Sequence, residues 1–450
     1  MRIALLFALI FVFSFAYAQD NTERSPPVPP TEERHPMDEL IFKVAVFGPA
    51  DDIFIWWGHA ALIVHNTRWN FSRVFDWGIF SYPSDSFTKD FILQRVSYRS
   101  AVGSLNLRAY INEDRDITIY TLNLDRRAKE IMLAYAENSV LPANRYYDYD
   151  QFRDNCATRI RDIIDMGTRG QFRAAFEDVP GRLSIRQHVR RFTWSKPFSE
   201  WFLCFMLGQY HDREISVWDE MFLPVEIARN ITDFTWIDDY GVERQLVSSV
   251  ELAYASKNRP PILNRPSPMW IFALKTGIIA SQFFFFLRFL RRKFPRSGRI
   301  LWGISQSVLG LFLGGIGCVL MFGKFFMNND YFQQNFNLLF INPLLLLMIP
   351  LGILAALGKP VMKHPPRPLY EEFLLRLDPE RCLRILWTYV FIVGSFTVLV
   401  RVLPFAYQQN QSVQGLILPV ALALSGISDS AYRLKPLIRK LRKFTRKAAV

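Results

Sequence analysis

The chain has 450 residues, half of them hydrophobic and 15% aromatic against 21% charged, which excludes a disordered protein and allows two or three domains. Residues 19–266 hold 30 Lys and Arg against 35 Asp and Glu, whereas residues 267–450 hold 23 against 6, so the net charge of +13 is a property of the C-terminal part alone. General nucleic-acid affinity explains such a confined charge poorly, and a membrane topology signal explains it better.

At the N-terminus Arg2, the apolar run 3–15 and Ala16-Tyr17-Ala18 predict a bacterial export signal cut after Ala18. The alternative is an uncleaved anchor, for which the apolar run is short. Residues 19–39, with Pro26, Pro27, Pro29, Pro30 and a charge run, read as an extended tether. Residues 40–266 then form the outer domain.

Residues 53–66 alternate as a strand, with Ile55, Trp57, His59, Ala61, Ile63 and His65 on one face, and Gly58 marks a close approach to the backbone. A second strand over 73–80 places Asp76 where it can orient His59, provided the two strands pair. Asp76 can equally be a turn or edge residue, His65 competes for the third position, and His59 by itself can be a satisfied core histidine.

Two cysteines, Cys156 and Cys204, belong to the outer domain, and a disulfide between them is one reading in an oxidising compartment. No metal-spaced Cys/His pairs, nucleotide-binding loop or nucleophile-elbow serine is present, so no metal or cofactor is expected. Asp154 or Asn155 can cap a helix that stops at Gly167 and carries Cys156 in its first turn. Steps of three and four from Cys156 reach Ile160, Ile163 and Ile164, which puts the thiol on the inward face. A merely buried cysteine gives the same pattern, but a thiol at a helix N-terminus beside a histidine is a competent nucleophile.

Five apolar stretches follow, over 270–287, 300–322, 338–357, 385–403 and 416–427 with its flanks, within a helical membrane domain spanning 267–432. Basic clusters follow the first (Arg288 to Arg299), the third (Lys359 to Arg384) and the fifth (Arg433 to Lys447), while loops 327–337 and 406–414 contain no Lys or Arg. By the positive-inside rule the neutral loops and the outer domain face outward, and the tail 433–450 is cytoplasmic. Gly310 and Gly314 permit close helix contact. Lys275, Lys324 and Arg401 either snorkel to the interface or line a phospholipid headgroup site, for which Lys275 and Arg401 are the named candidates.

The order of a histidine strand before a cysteine helix resembles that of circularly permuted papain-like enzymes. More specifically, Gly58-His59-Ala60-Ala61-Leu62, Phe75-Asp76-Trp77-Gly78-Ile79-Phe80, the segment 87–98, and Tyr149 through Asn155-Cys156-Ala157-Thr158-Arg159-Ile160-Arg161-Asp162 resemble the Lnb N-terminal periplasmic domain family. That family is named for a lipoprotein N-acyltransferase, and the likeness covers about residues 40–265. Ala157 departs from the Ser expected in many members. The resemblance implies an α+β, permuted papain-like periplasmic domain followed by about five membrane helices in a bacterial inner membrane, with Cys156, His59 and Asp76 catalytic. It also implies a phospholipid acyl donor, a Cys156 thioester and an apolipoprotein acceptor whose lipid-modified N-terminal cysteine has a free amine.

Three other readings compete. The same thiol chemistry serves a membrane-tethered amidase or peptidase acting on cell-wall peptide, for which one anchor would suffice. A non-enzymatic membrane scaffold would make Cys156 structural. A small-molecule transporter lacks support, because the spans show no internal repeat.

Overall fold

The computed structural model describes residues 37–80, 97–327, 330–358, 378–425 and 427. The export signal, the tether up to residue 36, most of the 87–98 segment, most of the basic loop after the third apolar stretch and the basic tail lie outside the described residues. In chain order the strands are β1 (Leu40–Phe47), β2 (His59–Asn66), β3 (Phe71–Phe80), β4 (Ser97–Ser104), β5 (Ile117–Leu122), β6 (Tyr146–Asp148), β7 (Thr235–Ile237), β8 (Glu243–Gln245) and β9 (Val247–Tyr254). The helices are α1 (Leu107–Asn112), α2 (Arg126–Ser139), α3 (Cys156–Gly167), α4 (Gln171–Phe176), α5 (Ile185–Thr193), α6 (Pro197–Met206), α7 (Val217–Glu220), α8 (Pro224–Thr232), α9 (Met269–Lys293), α10 (Pro295–Phe326), α11 (Met348–Leu357), α12 (Pro379–Val400) and α13 (Gln411–Leu424). The class is mixed α+β: an antiparallel sheet in the N-terminal part, then a helical region.

The chain divides into two compact units, one drawn from 37–80, 97–179 and 221–259, the other from 180–220 and the described residues from 260 onward. In the first, seven strands run in the order β6-β4-β3-β2-β1-β5-β9, each pair antiparallel. Strand β2 lies at the centre, and Ala60 to Val64 are at most 3% exposed. A central strand covered on both faces reads as a continuous apolar run, which is why Ala-Ala-Leu-Ile-Val here shows little true alternation. One face carries Ala45, Phe47, Ala61, Ile63, Ile117 and Ile119, with Tyr110, Leu107 and Val74 packed against them.

The strand expected over 53–66 starts later than its pattern suggested. Residues Ile53–Ile55 form a 3₁₀ turn closed by Gly58 N–H on the Ile55 carbonyl, and the strand begins at His59. Gly58 has φ +81°, and a Cβ there would lie 2.6 Å from the Phe47 carbonyl oxygen, so the close approach signalled by this glycine is β1 itself.

Residues 180–220, expected in one domain with Cys156, group instead with the helical region. The cause is polar. The guanidinium of Arg186, fully buried, pairs with Asp212 at 2.8 Å and donates to the carbonyls of Cys204, Leu207 and Gly208 beyond the end of α6 or in its last turn. Asn335, Asn337 and Gln408, from the two neutral loops, donate to the carbonyls of Phe205, Met206 and Leu207. A helix C-terminus whose orphan carbonyls are satisfied this way is locked to the loops that satisfy them.

Among the described residues four helical stretches are long and apolar enough to cross a membrane: Met269–Lys293, Pro295–Phe326, Phe336–Leu357 and Pro379–Val400. The fifth expected span is represented by α13, 14 residues long and so about 21 Å at the helical rise, short of a bilayer core by itself. It packs along α9: a Cβ on Gly277 would lie 2.5 Å from the Gly415 carbonyl oxygen, and the Leu424 carbonyl accepts from Arg288. Helix α13 thus runs beside α9 as far as the level of Arg288.

Candidate active site

Helix α3 begins where the sequence placed it, and the cap is Asn155. Its Oδ1 accepts from the N–H groups of Ala157 and Thr158 at 2.8 and 2.9 Å, and the Asn155 backbone N–H donates to the Thr158 hydroxyl in return. Asn155 Nδ2 donates to the carbonyls of Gln151 and Phe222, which ties the cap to the segment before α8. Cys156 is 8% exposed, and Ile160, Ile163 and Ile164 are at most 1% exposed, so the thiol does lie on the inward stripe. Because Asn155 consumes the second and third amides of the helix, the Cys156 N–H is the first-turn donor left without an acceptor among the described residues.

Strands β2 and β3 pair with Ala61 opposite Asp76. His59 and Asp76 therefore sit on one face as diagonal neighbours, and His59 Nε2 lies 2.8 Å from Asp76 Oδ1. The imidazole also stacks at 6.0 Å on Phe47, its register partner in β1. Its side chain is 19% exposed. The Cys156 thiol lies close enough to act on the imidazole electrostatically. A carboxylate accepts, so Nε2 carries the proton toward Asp76. Burial lowers the His59 pKa, but the charge of Asp76 and that of a Cys156 thiolate outweigh it and hold the imidazole well above its ordinary value.

A register shift between Asp76 and Ile79 makes room for the thiol. Gly78 has φ +94° in this irregularity, and a Cβ there would lie 4.0 Å from Cys156 Cβ and 3.9 Å from the Tyr147 hydroxyl. Tyr147 is the site residue that the sequence reading missed. It pairs with Tyr98 across β4 and β6, and Arg159, held bidentate by Asp154 at 2.5 and 2.6 Å, lies 4.5 Å over its ring. Its hydroxyl oxygen is buried and has no hydrogen-bond partner among the described residues. Burial, with the negative charges of Cys156, Asp154 and Asp76, raises its pKa, so the phenol stays a proton donor. The run Tyr146-Tyr147-Asp148-Tyr149 was visible beforehand, but nothing local distinguishes which ring turns toward the thiol.

The remaining candidates lie elsewhere. His65 bonds Ser72 through Nδ1 at 3.0 Å, six residues along the strand from His59. Cys156 and Cys204 are free thiols, so the disulfide reading does not hold. Cys204 donates to Glu200 at 3.7 Å, and burial pushes its pKa up to about 12, which makes it a poor nucleophile. Lys275, on α9, is exposed, and Arg401, just past α12, is half-buried; both belong to the helical unit. No group of three or more His, Cys, Asp or Glu that could hold a metal occurs among the described residues.

Residues 38–191 match the family model described as the Lnb N-terminal periplasmic domain. No curated protein and no solved structure matches the chain. The matched stretch contains Cys156, His59, Asp76 and Tyr147, and among the described residues four helices long and apolar enough to cross a membrane follow it. Together these describe a membrane protein with an Lnb-type periplasmic domain.

Proposed function

We propose that this chain, whose residues 38–191 belong to the Lnb N-terminal periplasmic domain family, is a lipoprotein N-acyltransferase that carries a fatty acyl group on Cys156. The observation that carries the reading is the Cys156 thiol at a helix N-terminus, beside a histidine whose Nε2 is held 2.8 Å from Asp76. The order of histidine strand and cysteine helix is that of a circularly permuted papain-like enzyme. Family membership supports a lipoprotein-modifying membrane enzyme, and the membrane helices supply access to lipid-embedded substrates.

In the first half reaction His59 takes the thiol proton, and the thiolate attacks the ester carbonyl carbon of a phospholipid. The C–S bond forms, the ester C–O bond breaks, and the lysophospholipid alkoxide leaves with the proton from His59. In the second, the amine of a diacylglyceryl-cysteine peptide attacks the thioester, His59 accepts a proton from nitrogen, and the C–S bond breaks as the amide forms. Both tetrahedral intermediates carry a negative oxygen. Among the described residues the Cys156 N–H and the Tyr147 hydroxyl are donors free to receive it. Asp76 fixes the tautomer and steadies the imidazolium.

The test is intact mass after incubation with phospholipid. Wild type should gain one acyl group through a hydroxylamine-sensitive bond, and Cys156→Ala should gain none. A diacylated peptide with a free N-terminal amine should discharge the thioester to an N-acyl product, and a blocked amine should not. Free fatty acid released at the same rate with or without acceptor would instead mark a hydrolase of the amidase or peptidase kind.

A further inference from the structure

The third membrane stretch, Phe336–Leu357, is helical in the α sense only in its second part. It opens with a 3₁₀ turn, Phe336–Leu339, capped by Asn335, and continues with a second, Pro343–Leu347, capped by Asn342, before α11 begins at Met348. Irregular backbone at membrane depth persists where protein buries it or where it borders a cavity. Here both conditions occur. On one side Gly310, Gly314 and Gly317 of α10 bring its backbone against residues 342–348, close enough that a Cβ on any of the three would clash. Asn342 Nδ2 is fixed by the Tyr389 hydroxyl, which itself donates to the Leu339 carbonyl. On the other side lies a cavity of about 890 Å³.

The lining of this cavity has a definite polarity. Leu338, Leu344, Leu346 and Leu347 supply apolar wall, Gln209 and Gln334 supply amides, and Lys324, in the last turn of α10, is the one charged residue among the described lining residues. Among the described residues no carboxylate lines the wall with that ammonium. Basic residues Arg296 and Arg299 mark the opposite end of α10, which places Lys324 at the outer side by the positive-inside rule. Snorkelling would account for a lysine at this depth, but not for a broken span and a cavity beside it.

We propose that this cavity is a phospholipid site, with an acyl chain along residues 338–347 and the headgroup phosphate on Lys324. One cation over an apolar slot, at the outer end of a membrane helix, matches an anionic headgroup joined to a hydrocarbon chain. Lys324 thereby takes the headgroup role expected of Lys275 and Arg401, neither of which lines the cavity. The assignment involves no covalent step and stands whether or not Cys156 carries an acyl group.

The experiment uses the full chain in lipid nanodiscs with a phosphatidylglycerol bearing a diazirine on its acyl chain, followed by photolysis and peptide mapping. Label should concentrate on Met321 and on residues 338–347. Lys324→Glu should lower labelling there by about tenfold or more, the loss expected for one charge-assisted contact, and Lys324→Arg should restore it. Leu344→Trp, at a position 60% exposed and so tolerant of bulk, should block the slot and serves as a second arm if the lysine variant fails to fold. Cys156→Ala should label as wild type does, which separates this site from the acyl-transfer reading. Label spread evenly over exposed residues such as Ile279 and Leu399, or unchanged in folded Lys324→Glu and Leu344→Trp proteins, would overturn the proposal. So would protection by inorganic phosphate alone, which would mark an anion site without a chain requirement.

Discussion

Asp76 reaches His59 diagonally across the β2–β3 ladder, 2.8 Å from Nε2, because Ala61 and not His59 is its register partner. A one-residue slip of either strand would send one of the two side chains to the opposite face of the sheet. The catalytic assignment of the pair is therefore tied to the register of the sheet.

This pairing sets the pH behaviour. The folded His59 pKa lies above the ordinary value of 6.5, so the stabilisation from its partners is fully present below that value and is lost as pH rises through the folded pKa. A ¹³C- or ¹⁵N-edited titration should give a His59 midpoint above 6.5 in wild type. Asp76→Asn should bring it down, with the alkaline limb of acylation moving to lower pH in parallel. An unmoved midpoint would remove Asp76 from the site.

Tyr147→Phe deletes a buried hydroxyl that has no partner among the described residues while keeping the ring under Arg159. Stability should be unchanged or slightly higher, since no hydrogen bond is lost and one desolvated group is removed. The acylation rate should fall by about 10²- to 10³-fold, the usual cost of losing one oxyanion donor. Single-turnover rates beside thermal unfolding would check it; equal rates would leave the oxyanion to other donors.

Replacing Asn155 with Ala removes the cap of α3 and strands the Gln151 and Phe222 carbonyls it serves. The loss should be about 1–2 kcal/mol for the cap, with more from the buried carbonyls. Hydrogen exchange over residues 156–160 should speed up, and the thiol should lose its fixed approach to His59. Asn155→Asp, which keeps the Oδ1 acceptor, should recover the helix protection but not the bonds to the two carbonyls.

Gly78→Ala tests the bulge. At φ +94° an L side chain is strained, and its methyl would meet Tyr149 at 3.4 Å and Cys156 at 4.0 Å. A cost of about 1 kcal/mol or more follows, with acylation reduced because the wall beside the thiol must shift. Activity equal to wild type would show that this wall does not confine the substrate.

A reporter fused after Val450 should be active on the cytoplasmic side. Helix α13 runs beside α9 to the level of Arg288, the first of the basic residues that follow the first span, and eight Lys or Arg lie between Arg433 and Lys447. Reporter activity on the outer side would mean that the chain crosses the membrane an even number of times after the outer domain.

What the sequence determined by itself was whatever depends on local periodicity and caps. The cap and stop of α3 put Cys156 at a helix start, steps of three and four put Ile160, Ile163 and Ile164 beneath it, and uninterrupted hydropathy located four of the five expected spans among the described residues. His59 and Asp76 were nameable because strand pairing of 53–66 with 73–80 is short-range, although the 3₁₀ turn before His59 was hidden in an apparent alternation. Tertiary structure decided the rest, because it depends on contacts between segments far apart in the chain. Which tyrosine turns toward the thiol follows from the β4–β6 register and from an arginine on α3. The grouping of residues 180–220 with the helical region depends on amides from loops more than a hundred residues later. The break in the third span, and the choice of Lys324 over Lys275 and Arg401 beside a cavity, follow from how close three glycines let α10 approach. Hydropathy is a sum over neighbours in sequence and carries no record of such an approach.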